Sequence, residues 1–321
     1  MPESPEVACV ADVIRKAVRV CFRETTFPEN VAGKLHRFNK DKLKNLDVLG
    51  STGSYSYGGF RLDGVRTKGK LIALDITSLS CLREYNNQPW TILVTLGMSG
   101  TWAFNQEKHP HARVVFHAYE QCIDTPGPVI HPFSLTFIDP RCFGTLRILR
   151  RDAAQKIMDR LGLDFLQSAW EEDDIERTRR FYAWKDLHHR SELEQMKVGD
   201  FLLSQKWVSG CGNIFRADVL YETGINPWTK LVEIPQWHWD RLGINLGARL
   251  YKAYEQGGTT IHTFEADGHP GSYQPLIYGK KVCPDGHPTE RGSLTGRTMW
   301  LCGTCQRFTT QFITQSSRSS L

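Results

Sequence analysis

No apolar run in this 321-residue chain is long enough to span a bilayer, and no signal-like apolar stretch opens it. Neither a membrane protein nor a secreted precursor is therefore expected. The cysteines give no secreted framework: of nine, Cys9, Cys21, Cys81, Cys122, Cys142 and Cys211 are scattered without a paired spacing. A reducing intracellular compartment, cytoplasm or nucleus, is the expected home. A strong basic excess is missing too. The formal charge of +5 and pI near 8.7 are only mildly basic, so any surface for a polyanion must come from local clustering of Lys and Arg.

The most specific feature present is Cys283-Pro-Asp-Gly-His287 followed by Cys302-Gly-Thr-Cys305. Thiolates and one imidazole in two short knuckles suit one tetrahedral zinc ion, and a closed four-ligand site is structural, with no open position for a substrate water. So small a piece depends on metal for its stability. Between the knuckles, Gly292-Ser-Leu-Thr-Gly-Arg-Thr-Met-Trp-Leu301 can carry Arg297 on a tight turn facing a polyanion. A knuckle that only staples a terminus is the plainer alternative.

Length alone argues for two or three units. Short β-rich runs fill the first half: Lys70–Ile76, Trp90–Leu96, Ala112–Phe116 and Ser134–Ile138 predict strands of a sandwich or barrel. Before them, Val7, Val10, Ala11, Ile14, Ala17 and Val18 recur at helical spacing, so an amphipathic helix is predicted from Pro5 to Val20. After Arg151 the pattern turns helical: 153–161, 173–181, then 198–207 and 214–222 as a pair around Val208-Ser-Gly-Cys-Gly-Asn213, with Gly224 as a C-cap. Helix, Gly-Asn turn, helix can aim backbone N–H groups and the Asn213 amide at one phosphate.

Several motifs in order carry a resemblance. Met1-Pro-Glu-Ser-Pro-Glu6, Gly69-Lys70-Leu-Ile, Leu96-Gly-Met-Ser-Gly100, Asp139-Pro-Arg-Cys-Phe-Gly144, Gly212-Asn213-Ile214, Gln256-Gly-Gly-Thr-Thr260, Asp267-Gly-His-Pro-Gly271 and Tyr278-Gly279 lead into the finger. Together they resemble the Fpg/Nei group of helix-two-turn-helix DNA glycosylases over nearly the whole chain. The resemblance implies an α+β multidomain fold. A β-sandwich with its N-terminal helix would occupy 1–151, a helix-two-turn-helix domain 152–279, and a zinc-finger β-hairpin 280–308, leaving a disordered tail at 309–321.

It also implies roles. Pro2, exposed by loss of Met1, would be the nucleophile; α-amino groups titrate at about 7.7–8.0, so part of it is unprotonated near neutrality. Glu3 would be the acid/base, Lys70 on its strand a proton carrier, and Arg297 a phosphate clamp acting with Asn213. Met98, Arg141 and Phe143 would fill the void left by a flipped base, and His109 would touch DNA. The expected partner is damaged double-stranded DNA, and the expected state a monomer.

Departures from the pattern are Ser4, Cys142 in place of a second arginine, Gly199 with Lys197 two places away, and a finger with one histidine. The activity implied is excision of oxidised bases with strand cleavage, formamidopyrimidines and oxidised purines ahead of pyrimidines. A Nei-like preference for oxidised pyrimidines, a non-catalytic damaged-DNA-binding zinc protein, and a zinc module on an unrelated β-domain enzyme stay open at this point.

Overall fold

The structure is a computed structural model, described here for residues 2–28, 44–49, 59–79, 87–118, 133–166, 182–185, 187, 190–260, 265–266 and 269–307. The helix expected at 173–181, the tail at 309–321, Cys81, Cys122 and part of the segment from Phe264 to Tyr278 lie outside those residues. The chain divides into two compact units. One holds Met1–Pro2, Glu6–Arg160 and Thr260–Gly271; the other holds Glu3–Pro5, Leu161–Thr259 and Ser272–Leu321.

In the first unit, helix α1 (Ser4–Arg15) buries Val7, Val10, Ala11 and Ile14 and carries Glu6 in its first turn and Arg15 in its last. It ends earlier than its periodicity predicts. Arg19 N–H donates to the Leu62 carbonyl at 2.7 Å and Leu62 N–H to that of Val20 at 3.0 Å, so the sheet takes the backbone that would have prolonged the helix. Arg19 makes the corner at φ 74°.

The sheet that follows is antiparallel and eight-stranded. Its strands are β1 (Cys21–Thr26), β2 (Phe60–Lys68), β3 (Leu71–Ser78), β4 (Pro89–Thr95), β5 (Thr101–Phe104), β6 (Ala112–Ala118), β7 (Phe133–Ile138) and β8 (Thr145–Arg150). The strand order is β5-β7-β6-β1-β2-β3-β4-β8. Two short connections, 96–100 from β4 to β5 and 139–144 from β7 to β8, join strands at opposite edges of that order. Connections so short force the sheet to fold over on itself, which makes the predicted sandwich. Consecutive residues of β3, β4, β6 and β7 are accordingly buried on both faces, around stacked Phe22, Phe60, Phe116 and Trp102. Helix α2 (Arg151–Asp159) covers one face, packing Ala154 and Met158 on Ala73 and Leu93.

The second unit is helical around α3 (Val198–Leu203), α4 (Asn213–Thr223) and α5 (Gln236–Glu255). Helix α3 is shorter than predicted because the residues after it are claimed by a two-strand parallel pair, β9 (Leu163–Asp164) and β10 (Val208–Ser209). Gly162 N–H donates to Gln205 O at 2.9 Å and Leu163 N–H to Trp207 O at 3.0 Å. Helix α4 ends at Gly224 in the left-handed conformation, φ 71°, as its sequence predicts. On α5, Trp239 stacks on Trp184 with ring centroids 4.1 Å apart, and each indole N–H donates to the other's carbonyl.

Two minor strands, β11 (Glu265–Ala266) and β12 (His269–Pro270), pair with each other. A separate hairpin, β13 (Glu290–Leu294) and β14 (Arg297–Leu301), turns through Thr295 and Gly296, both at positive φ, the signature of a type I′ turn. No helix among the described residues is long and apolar enough to cross a membrane.

Candidate functional site

The two edge-joining loops of the sandwich carry Met98, Arg141 and Phe143, and one buried carboxylate binds the loops together. Asp139 is fully buried; its Oδ1 accepts from Ser99 Oγ at 2.9 Å and from Arg141 N–H at 3.2 Å, and its Oδ2 from Gly144 N–H at 2.7 Å. Its own carbonyl accepts from Arg113 Nε at 2.8 Å. Close approach is enforced at Gly97, at φ 63°, where a β-carbon would come 2.4 Å from Gly144 N. On this rigid base Met98 and Phe143 stand 39% and 40% exposed, although side chains of that kind normally find a core. The Arg141 guanidinium lies 5.4 Å over the Phe143 ring. Cys142 takes the left-handed conformation at φ 55° and is buried, so this departure serves the loop's packing, whereas its neighbours on both sides are exposed.

Asp139 is the residue that motif reading quoted without a role. Asp139→Asn keeps the shape but, even with its oxygen turned to Ser99 and Arg141, puts an N–H₂ against the Gly144 N–H. The expected cost is about 1–3 kcal/mol in denaturant unfolding, because both loops loosen.

Lys70 is not on a strand, contrary to the sequence-based expectation. Lys68 pairs with Leu71, so Gly69 and Lys70 form the two-residue turn between β2 and β3, with Gly69 supplying φ 57°. The side chain is half-buried. His109 lies in the turn before β6, where its Nδ1 accepts from His111 N–H at 3.0 Å. Burial, and secondarily His111, lowers its pKa, so neutral pH finds it mostly uncharged.

In the second unit the Glu3 carboxylate is buried against the start of α4. Its Oε2 accepts from Gly212 N–H at 2.8 Å and its Oε1 from Ile214 N–H at 3.1 Å. Ser4 N–H donates to Gly210 O at 3.1 Å and fixes the approach. The backbone donors expected to meet a phosphate therefore meet the chain's own carboxylate. What the turn offers a phosphate is the half-buried Asn213 side chain. Gly212 is required by space: a β-carbon there would lie 2.3 Å from Glu3 Cδ and Oε1.

Arg297 opens β14 and is exposed, one residue past the predicted turn. The hairpin tip is tied to α3 by a hydrogen bond from Thr295 Oγ1 to Asp200 Oδ1. A second residue that sequence reading missed is Arg216, one turn after Asn213 on α4. Its only signal is that spacing, since an arginine on a helix is ordinarily read as a solvated face.

Cys283, His287, Cys302 and Cys305 present ligand atoms all within 4.8 Å of one another, a set that could hold a metal ion. Cys283 Sγ lies 3.9 Å from Cys305 Sγ and 3.7 Å from His287 Nδ1, and Cys305 Sγ lies 3.3 Å from that nitrogen. A tetrahedron with metal–sulfur bonds of about 2.3 Å has sulfur–sulfur edges of about 3.8 Å, so the donor set fits. Each knuckle is closed by its own backbone: Cys283 N–H donates to His287 O at 2.8 Å, and Gln306 N–H to Cys302 O at 2.9 Å. Gln306 Nε2 then reaches Ile225 O at 3.1 Å, just beyond α4.

Residues 1–146 match the family model described as the formamidopyrimidine-DNA glycosylase N-terminal domain. The formamidopyrimidine-DNA glycosylase of Psychrobacter arcticus is 29% identical over 269 residues, covering 77% of this chain and 84% of that protein. The one from Lactobacillus delbrueckii subsp. bulgaricus is 27% identical over 317 residues, covering 96% of this chain and all of its own. Among solved structures, the MutM (Fpg) protein of Thermus thermophilus has a TM-score of 0.68 at 25% identity, over 95% of this chain and 99% of that one. A Lactococcus lactis Fpg variant bound to Fapy-dG-containing DNA shares the fold, with a TM-score of 0.68 at 21% identity over 96% of this chain.

Proposed function

Because the chain belongs to the Fpg/Nei family of DNA glycosylases, we propose that it removes oxidised bases from duplex DNA through an imine formed by Pro2 and then cleaves the strand. The observation that carries this reading is the placement of Glu3. The residue beside Pro2 is locked by two backbone N–H groups at the start of α4, next to Asn213, so the N-terminal dipeptide is held in a fixed position. A loose terminal Pro-Glu has no need of such a socket.

Once Met1 is lost, the Pro2 amine attacks C1′; the C1′–N bond breaks and the base leaves with the electron pair and a proton. The C1′–O4′ bond of the resulting aminal then breaks, O4′ taking a proton from Glu3, and the open-chain iminium so formed acidifies C2′. Loss of a C2′ proton expels the 3′ phosphate, and a second elimination expels the 5′ phosphate. Glu3 is the acid/base at the sugar ring oxygen and Lys70 the proton carrier for the first elimination.

Arg297 and Asn213 hold the phosphates beside the lesion, the guanidinium by a two-pronged donation. Met98, Arg141 and Phe143 occupy the stack, and His109 contacts DNA. Cys283, His287, Cys302 and Cys305 would hold one zinc ion, whose contribution is to fix the hairpin that presents Arg297.

Borohydride trapping tests the proposal on duplexes bearing 8-oxoguanine, an oxidised pyrimidine or an abasic site. The expected outcome is a covalent adduct with the native chain, strongest on oxidised purine among the base lesions, and its loss in Pro2→Ala. No adduct on any duplex, from protein shown by mass to lack Met1, would overturn the enzyme reading in favour of a damaged-DNA-binding protein.

A further inference from the structure

Helix α4 buries a guanidinium completely, and among the described residues no carboxylate accepts a hydrogen bond from it. Arg216 has no exposed surface; its Nη1 donates to Gly199 O at 3.3 Å, and its Nη2 to Asn213 Oδ1 at 2.8 Å and to Thr298 O at 3.0 Å. Its Nε is buried without an acceptor among the described residues. The carboxylates of Asp200 and Glu3 act on the guanidinium through space, but its hydrogen bonds go to neutral oxygens, so its planar fork sets geometry. The three acceptors belong to α3, to the first residue of α4, and to the hairpin residue that follows Arg297.

We infer that Arg216 is a positioning residue for a DNA backbone phosphate, acting through Asn213 and Arg297; the inference rests on the function proposed above. A guanidinium can only donate, so the Asn213 oxygen has to face it, and the amide N–H₂ is turned away as a free donor. Without Arg216 the two ends of the amide are interchangeable, and half of its orientations would present an oxygen to the phosphate. The same guanidinium holds the Thr298 carbonyl, which sets where the β14 backbone, and Arg297 with it, stands over α4. Lysine could supply the charge but not a planar fork reaching three acceptors.

Equilibrium binding to a duplex containing a tetrahydrofuran abasic analogue, beside single-turnover rates on an oxidised-base duplex, provides the test. Arg216→Lys is expected to weaken analogue binding about tenfold, the worth of one charge-assisted hydrogen bond, and to leave the rate at saturating enzyme nearly unchanged. Asn213→Asp guards against misfolding, because a carboxylate still accepts from Arg216 and the fold keeps its partner. This variant is expected to melt no lower than the native chain and to lose at least as much affinity as Arg216→Lys. Combining Arg216→Lys with Asn213→Ala is expected to cost less than the sum of the two, since one residue acts partly through the other.

Native affinity in Arg216→Lys, native affinity in Asn213→Asp, or full additivity would overturn the inference. The two readings fail separately. A trapped adduct with Arg216-independent binding sinks only the positioning role, whereas Arg216-dependent binding without any adduct sinks only the enzyme.

Discussion

Gly212→Ala is expected to lower base excision by about 10²–10⁴-fold, the range over which a positioned acid/base contributes, while the protein stays folded. Gly212 has φ −134° and ψ −162°, extended backbone that alanine adopts without strain, so the substitution carries no conformational penalty of its own. The three atoms nearest the added methyl all belong to the Glu3 side chain, Cδ and Oε1 at 2.3 Å and Cγ at 2.8 Å. A carboxyl at the end of a flexible side chain can swing aside, and in doing so it leaves Gly212 N–H and Ile214 N–H. Stability therefore falls by little more than two hydrogen bonds, about 1–3 kcal/mol, whereas the chemistry loses the group it depends on.

Single-turnover excision and thermal melting on the same protein separate the two effects. Glu3→Gln supplies the reference, and the double variant Glu3→Gln/Gly212→Ala should be no slower than Glu3→Gln alone, because both changes disable one group. Native excision by Gly212→Ala would show that the observed Glu3 placement has no part in catalysis.

That placement also marks the limit of what the chain's letters disclose. The Gly-Asn turn was legible as a place to aim backbone N–H groups at an anion only in company with the Cys/His hairpin, because such turns between helices are common and by themselves structural. Which anion fills it was not, since Glu3 lies 209 positions from Gly212 and only the folded chain brings them together. The same holds elsewhere.

Strand periodicity placed β3, β4, β6 and β7 to within a residue or two, yet the sandwich itself follows from the two loops that join opposite edges, a property of strand order. The end of α1 was misread because the backbone of Arg19 and Val20 is taken by β2, and local spacing cannot register a competitor so distant in the chain. Lys70 was placed on a strand because it opens the short apolar, β-branched run that ends at Ile76; the turn depends on a single glycine. Asp139 and Arg216 were passed over because a charged residue in a loop or on a helix is ordinarily solvated, and only burial reveals their work. The metal ligands were legible because four soft donors at knuckle spacing have no competing structural use.

Those ligands give the second large effect. Cys302→Ala is expected to abolish metal binding and with it most of the affinity for damaged duplex, with the first unit unaffected. Structural zinc binds peptides of this kind with an apparent free energy of about 10–16 kcal/mol, which is folding energy for the piece it organises. Two five-residue strands, β13 and β14, are marginal alone in water. Their other attachments among the described residues include Thr295 to Asp200, Thr298 to Arg216, Leu294 beside Gly199, Trp300 near Tyr278, Trp228 against Gly292, and Gln306 to Ile225. Gln306 is itself set by the Cys302 knuckle, since its side-chain oxygen accepts from Cys302 N–H at 2.7 Å. Without metal that attachment goes with the knuckle, and Arg297 is left on a hairpin held by its remaining contacts with the helices, Trp228 and Tyr278.

Zinc content by atomic emission, limited proteolysis and binding to the tetrahydrofuran duplex read the three consequences in order. The expected pattern is no bound zinc, cleavage confined to the region beyond Gly279, and a shallower dependence of binding on salt, as Arg297 no longer neutralises a phosphate. Tight binding with an undiminished salt slope in zinc-free protein would mean that α3, α4 and Arg216 hold the hairpin by themselves, and the metal would then be a reinforcement of a surface the helices already define.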